Sequence, residues 1–275
     1  MNLIIDFGNT FAKFYLFENE EIKAFFKLAY SDIFFSEMLS ESKLNYTKIN
    51  KKQLDFFLEA NKINFNNAII SSVIDFPVDF ASFLEEKIQN GIFLELNSET
   101  LVPIINMYQN KAQLGKDRLA VAVGANQLYN GKNILVIDAG SAITYEFISD
   151  KNQYLGGNIS PGMQMRFKAL NTFTNKLPLI TILPESERLL SEKNEIGKNT
   201  HSAINLGVIK GIVLEMRGYI AQFEAQNSNT VVLLTGGDSF FFEKELKNSI
   251  FAHENLVAIG LNSILNYNLQ ALETQ

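Results

Sequence analysis

Two short stretches place an acid and several hydrogen-bonding groups directly after an apolar run. In LIIDFGNT, residues 3 to 10, Asp6 and Gly8 are followed by Asn9, Thr10 and then Lys13. In LVIDAGSA, residues 135 to 142, Asp138 is followed by Gly140, Ser141 and then Thr144. A phosphate group needs backbone N–H donors, small residues that let it approach, and a cation to offset its charge. The first turn can meet these needs: Gly8 admits the phosphate, Asn9, Thr10 and Lys13 offer donors, and Asp6 suits Mg²⁺, directly or through water. The other explanation is a tight hairpin in which Gly8 supplies positive φ and Asp6 bonds its own turn. A second turn of the same design is harder to ascribe to local turn chemistry, and it makes Asp138, Ser141 and Thr144 candidates for cation and nucleotide contacts. A third strand end, LLTGGDS at 233 to 239, offers a Gly-Gly pair suited to a flat group such as a nucleoside, or to a plain turn. Together the three favour a nucleotide cleft.

GKDR, residues 115 to 118, stands at the mouth of an amphipathic stretch. Asp117 can cap a helix there, with Arg118 a solvated charge. Alternatively Asp117 accepts the proton of a substrate hydroxyl while Arg118 steadies an anion or a transferred phosphoryl group. Familiar nucleotide motifs are absent: the chain has no GxGxxG and no GxxxxGK[ST], and GKNT at 197 to 200 lacks the earlier glycine. The two histidines, His201 and His253, have no ligand-spaced partner and read as surface or capping residues.

The elements that position these residues follow from pattern. Residues 2 to 6 and 11 to 17 read as a hairpin, NNAIISSV (66 to 73) as a buried strand and residues 79 to 90 as an amphipathic helix. Residues 31 to 61 show periodic apolar positions with charged neighbours. GKDRLAVAVGANQLYN turns into a helix, NILVIDAGSAITYEFIS forms two strands, and after GGNISPGM the chain is helical to about Leu170. The stretch from Thr172 to Asn199, with Pro178 and Pro184, reads as loop with short elements. A long helix follows from about Thr200 to Ala225, and its Gly207, Gly211 and Gly218 point to another backbone packed closely against it, within the chain or across a dimer. TVVLLTGGDS is then a buried strand, and ENLVAIGLNSILNYNLQAL a closing helix.

The two Asp-Gly stretches lie nearly half the chain apart. Their placement suggests two related α/β halves, 1–114 and 115–275, each sending an Asp-Gly hairpin into one cleft. With 275 residues, 47% of them hydrophobic, a substantial core can form. A net charge of -6 without a basic run argues against nucleic acid. The absence of cysteine excludes disulfides and thiolate metal sites and fits a reducing compartment, with the cytoplasm as the expected location. No signal peptide or membrane span is evident, and a small-molecule partner is expected.

In order, DFGNT, GKDR, DAGSAIT, GGNISPGM and GKNT resemble the type III pantothenate kinases, from the first strand to the long helix. That resemblance implies the acetate kinase, sugar kinase, chaperone and actin superfamily, built of two ribonuclease-H-like domains. It also implies phosphorylation of pantothenate by ATP to 4′-phosphopantothenate, the entry to coenzyme A synthesis. By the same resemblance the segment Asp6, Phe7, Gly8, Asn9, Thr10, Phe11, Ala12 and Lys13 is the phosphate-binding hairpin, and Asp117 the general base. Tyr108 with Gly115, Lys116, Asp117 and Arg118 contacts pantothenate, as does Thr200 of GKNT. Asp138 binds a monovalent cation, K⁺ or NH₄⁺. Ser141 stands where an ATP-contacting threonine is usual, which keeps the hydroxyl and loses a methyl. Glu146 replaces a common aspartate and is assigned no role. Family members are homodimers with sites near the subunit interface. Two other classes would share the hairpins: a superfamily kinase acting on a sugar, polyol or acid, and a nucleotide-dependent switch protein that lacks a base at Asp117.

Overall fold

A computed structural model describes residues 1–40, 43–88, 90–180, 196–246 and 250–274, and only the backbone of 37–40 and 43–45. The chain forms two compact units: Met1–Leu128 together with Leu256–Gln275, and Tyr129–Asn255.

The first unit is built on a five-stranded sheet. Its strands are β1 (Asn2–Phe7), β2 (Ala12–Glu18), β3 (Glu21–Leu28), β6 (Asn67–Ser72) and β7 (Phe93–Glu95), in the order β3-β2-β1-β6-β7. The β1–β2 and β2–β3 pairs are antiparallel, while β1–β6 and β6–β7 are parallel. Every residue of β1 is buried, as a central strand covered on both faces requires. Leu3, Ile5 and Phe7 enter a core shared with Leu54 and Leu58 of α2 (Lys51–Ala60) and Phe80, Phe83 and Leu84 of α3 (Val78–Lys87). The Phe7 ring is met at 5.5–5.7 Å by Phe76, Phe34 and Tyr30 in edge-on arrangements.

Because strand side chains alternate, Asn2, Ile4 and Asp6 leave β1 on the opposite face. There Asn2 Nδ2 donates to Asn262 Oδ1 at 2.9 Å and Asn266 Oδ1 at 2.8 Å, fastening the sheet to a C-terminal helix, Leu256–Glu273. That helix packs on α4 (Lys116–Leu128) through glycines. A Cβ on Gly260 would stand 1.8 Å from the Ala120 carbonyl oxygen, and one on Gly124 would stand 2.3 Å from that of Leu256. Only glycine lets the two backbones come so near. Between these elements lie α1 (Tyr30–Ile33), the hairpin β4 (Phe34–Ser40) and β5 (Lys43–Ile49), and the short strand β8 (Ile105–Asn106).

The second unit repeats the plan. Its strands β9 (Asn133–Ala139), β10 (Ala142–Ser149), β11 (Gln153–Pro161), β12 (Thr230–Thr235) and β13 (Ile250–Ala252) lie in the order β13-β12-β9-β10-β11. Again two antiparallel pairs are followed by two parallel ones. Leu135, Ile137 and Ala139 of β9 join Phe167 of α5 (Met163–Thr172) and Ile209, Ile212 and Met216 of α6 (Thr200–Gln226) in one core. A short helix α7 (Ser239–Glu243) follows β12, so the C-terminal helix of the first unit is α8.

The duplicated α/β design expected from the paired Asp-Gly stretches is therefore present, and the long helix runs to within a residue of its expected end. The structure departs from or adds to the sequence reading at four points. The first unit extends to Leu128 instead of 114 and recovers α8 from the far end of the chain, because α4 and α8 interlock. Periodic apolar positions at 31–61 fold as a one-turn helix, a hairpin and α2. Strands β3 and β11 were not anticipated. Finally, no described atom lies within 4 Å of a Cβ built on Gly207, Gly211 or Gly218, so of the two expected partners for those glycines, a backbone within the chain is not found among the described residues. Within the expected loop, 173–180 and 196–199 form neither helix nor strand, and 181–195 lie outside the described residues.

Candidate active site

In the first unit, Asp6 is the penultimate residue of β1 and is only 7% exposed. Its neighbours in register are Lys13 on β2 and Ser71 on β6. Lys13 Nζ is 3.8 Å from Asp6 Oδ2. Burial pushes the Asp6 pKa up to about 6; the Lys13 ammonium pulls against this, and the Asp117 carboxylate adds to it. Asp6 and Asp117 are thus electrostatic neighbours although a hundred residues of chain separate them. A carboxylate withdrawn from water beside a second acid is a fitting place for a hard divalent cation, since one lysine offsets only part of the charge.

The turn after β1 is open. Asn9, Thr10 and Phe11 are exposed, whereas Phe7 and Ala12 are buried in the core and can offer a ligand only their backbone. Gly8 does not have positive φ, which removes the conformational reason for a glycine. A Cβ there would meet nothing nearer than the Phe11 carbonyl oxygen at 3.6 Å. What the missing side chain leaves is room on the outer side of the turn. Tyr30, from α1, holds the turn from behind: its hydroxyl donates to the Gly8 carbonyl, with the Phe11 carbonyl oxygen 3.3 Å away. Burial and the nearby Asp6 carboxylate raise the Tyr30 pKa, so the hydroxyl remains a donor. The Lys27 ammonium lies 4.1 Å from the centre of the Phe11 ring.

Asp117 and Arg118 open α4. Asp117 Oδ1 accepts the Arg118 backbone N–H at 2.8 Å, so the acid does engage the helix end. Gly115 makes this possible, because a Cβ at that position would stand 2.7 Å from Asp117 Oδ1. Arg118, 7% exposed, places its guanidinium 5.6 Å from the centre of the Tyr108 ring, and the Tyr108 N–H donates to Asn106 Oδ1 at 3.0 Å. Lys116 Nζ reaches Glu95 Oε1 at 3.3 Å. Tyr108, Gly115, Lys116, Asp117 and Arg118, expected around one substrate, are brought together with Asp6 in one unit.

In the second unit Asp138 occupies the place in β9 that Asp6 holds in β1, with Thr144 of β10 and Thr235 of β12 as its register neighbours. The turn at Gly140 and Ser141 is likewise open: Ser141 is exposed, and a Cβ on Gly140 would meet nothing nearer than 3.6 Å. Gly236 has a different reason. Its φ is +94°, and a Cβ would collide at 2.4 Å with the Ala139 carbonyl oxygen and Asp138 Oδ1. The second glycine of that pair, Gly237, faces open space. Thr200, the first residue of α6, is exposed, and Asn199 caps the helix by accepting the Ser202 N–H at 2.8 Å. Glu146 is fully buried and accepts the Tyr154 hydroxyl at 2.6 Å. His201 lies 3.2 Å from the Asn205 amide nitrogen, and among the described residues no group of three or more histidine, aspartate or glutamate side chains is arranged to hold a metal. Tyr30 and Ser71 had no signal in the sequence, since neither belongs to a motif.

Two units of one strand order, each ending its central strand in an open Asp-x-Gly turn, define the mixed α/β fold shared by actin-like ATPases and sugar kinases. A putative Baf family transcriptional activator from Campylobacter jejuni superposes with a TM-score of 0.58 at 22% identity, covering 98% of this chain and 99% of that one. The activator of 2-hydroxyisocaproyl-CoA dehydratase from Clostridium difficile, solved with bound ADPNP, superposes with a TM-score of 0.52 at 10% identity, covering 99% and 97%. The type III pantothenate kinase family model matches residues 2–222, and a type III pantothenate kinase from Phocaeicola vulgatus is 41% identical over 98% of this chain and 99% of its own length. The chain belongs to the type III pantothenate kinase family. No described helix is long and apolar enough to cross a membrane.

Proposed function

We propose that this kinase transfers the γ-phosphoryl group of ATP to the primary hydroxyl of pantothenate with Asp117 as the base and the Gly8–Lys13 turn as the phosphate cradle. The observation that carries this reading is the open turn after a buried Asp6, in the same unit as Asp117, whose charge adds to the upward push on the Asp6 pKa. Asp117 takes the hydroxyl proton as the oxygen attacks phosphorus. Arg118 and Tyr108 hold and orient pantothenate with Gly115 and Lys116, and Thr200 supplies a further contact. The backbone N–H groups of the first turn, with Lys13, Asn9 and Thr10, carry the phosphate charge, and Ser141 contacts ATP. Asp6 is the residue that would hold Mg²⁺, directly or through water; when bound, the ion neutralises charge on the β- and γ-phosphate oxygens. Asp138, alongside two threonines, is the residue that would hold K⁺ or NH₄⁺. Such a reaction depends chiefly on orientation and charge stabilisation.

A homodimer is part of the proposal. Gly207, Gly211, Leu214 and Gly218 form one face of α6 by helical spacing, no described atom lies within 4 Å of a Cβ on any of the three glycines, and Leu214 is 66% exposed. That face suits a second copy of the chain. A cytoplasmic location accords with ATP as co-substrate and the absence of cysteine.

The test is release of ADP from ATP in the presence of Mg²⁺, K⁺ and pantothenate. The wild-type chain is expected to turn over, and Asp117→Asn to keep nucleotide binding while losing about 10²–10⁴-fold in kcat. Unchanged turnover in Asp117→Asn would leave Asp117 as a helix-end residue only.

A further inference from the structure

Strand β6 ends in a hydroxyl that the phosphoryl-transfer reading above does not use. Ser71 is completely buried, and its Oγ has no hydrogen-bond partner among the described residues. Withdrawing a hydroxyl from water without a partner is unfavourable, and β6 is otherwise apolar at its centre, with Ala68, Ile69 and Ile70 each fully buried. Packing alone would be better served by alanine at this position.

The strand register shows what Ser71 faces. It stands opposite Asp6 in the parallel β1–β6 pair, so both side chains leave the sheet on the same face, from strands about 4.8 Å apart. Its neighbour Ser72 points the other way, where its hydroxyl donates to the Ile74 carbonyl at 2.6 Å and is satisfied. The second unit repeats the pairing independently. Thr235 of β12, 2% exposed, stands opposite Asp138 in the parallel β9–β12 pair. In each unit, then, the acid at the end of the central strand has a buried hydroxyl at its side on the parallel neighbour.

We infer that Ser71 is a positioning residue of the phosphate site: its hydroxyl orients the Asp6 carboxylate toward its cation through a water shared between the two side chains. The inference rests on the assignment of Asp6 to Mg²⁺. The orphaned Oγ acquires its partner when that water is held in place, so its hydrogen bond belongs to the nucleotide-loaded protein and contributes little to the fold alone.

Three variants, Ser71→Ala, Ser71→Thr and Asp6→Asn, are compared by thermal melts in metal-free buffer and with Mg²⁺ and ATP but no pantothenate, and by Mg²⁺ titration of turnover. Ser71→Ala is expected to melt at or above the wild-type temperature without ligand, to show a smaller shift with Mg²⁺ and ATP, and to need about tenfold more Mg²⁺ for half-maximal turnover. Its kcat at saturating Mg²⁺ should stay within about twofold. Ser71→Thr, which borrows the residue of the second unit, should restore the Mg²⁺ requirement. Wild-type Mg²⁺ dependence and melting shift in Ser71→Ala, with both lost in Asp6→Asn, would overturn the role of Ser71 and leave that of Asp6 standing. An equal loss of melting temperature with and without ligand in Ser71→Ala would mark it as purely structural and overturn the inference too. Unaltered Mg²⁺ dependence in Asp6→Asn would remove the cation assignment itself, and the inference with it.

Discussion

Asp6 should weaken the very fold that positions it. In the folded chain its pKa lies at about 6, against 3.8 for an ordinary aspartate, and burial is the main cause. Between those two pH values the folded protein binds a proton that the unfolded chain does not, so the stability this proton confers is full below about pH 4 and lost as pH rises through 6. Each tenfold displacement of the protonation equilibrium is worth about 1.4 kcal/mol, which makes the cost of an ionised Asp6 about 3 kcal/mol at pH 7.5. The figure already includes the opposing pull of Lys13. Asn at position 6 keeps the shape and cannot ionise. In buffer containing EDTA, Asp6→Asn is therefore expected to melt about 5–10 °C above the wild type at pH 7.5, with the gap closing toward pH 4.5. The same variant should lose pantothenate-dependent ADP release. A variant that melts at or below the wild-type temperature at pH 7.5, or a gap that does not narrow in acid, would refute the claim that an unneutralised buried charge is stored at this site.

Other substitutions separate position from chemistry. Tyr30→Phe keeps the aromatic cluster around Phe7 but releases the Gly8 carbonyl; the KM for ATP should rise several-fold, in line with about 1 kcal/mol for one hydrogen bond, while the KM for pantothenate is unchanged. Gly260→Ala drives a methyl onto the Ala120 carbonyl and should destabilise the chain by 2 kcal/mol or more in urea melts, roughly the upper range for overpacking. A Cβ at Gly211 meets no described atom within 4 Å, so the effect of Gly211→Leu should appear in sedimentation as a weakened dimer, with the monomer fold retained. Asp138→Ala should abolish activation by K⁺ while leaving the Mg²⁺ requirement in place, measured by turnover across both titrations.

The candidate site was legible wherever local chemistry contradicted local packing. An aspartate and a glycine at the end of an apolar run serve either the turn itself or something outside the strand, and the repeat of that pattern at Asp138 shifted the weight to the second. Tyr108 was legible only as a member of a family pattern, whereas Arg118 already stood out in GKDR. Their stacking depends on a turn that no periodicity announces. Strand β3 was hidden because it is an edge strand with every other residue exposed, and its charged positions dilute the apolar signal. β11 was hidden by its own Gly156 and Gly157, which interrupt its apolar pattern. The register that sets Ser71 beside Asp6 joins strands with most of a domain between them in sequence, and the Gly124–Gly260 crossing joins segments farther apart still. Neither leaves any mark on a local window.

That crossing governs the order in which the protein can be made. The sheet of the first unit is synthesised before the second unit, yet the helix that packs on the Asn2, Ile4 and Asp6 face consists of residues 256–273, which leave the ribosome only after the whole second unit. The second unit, Tyr129–Asn255, is continuous and emerges complete before α8 does. The half begun before the second unit is therefore completed after it, and its central strand β1 waits with the Asn2, Ile4 and Asp6 face uncovered until α8 is made. A truncated chain lacking α8 should consequently fail in the first unit, at the opposite end of the sequence from the cut, and be held by chaperones or degraded with the second unit already folded.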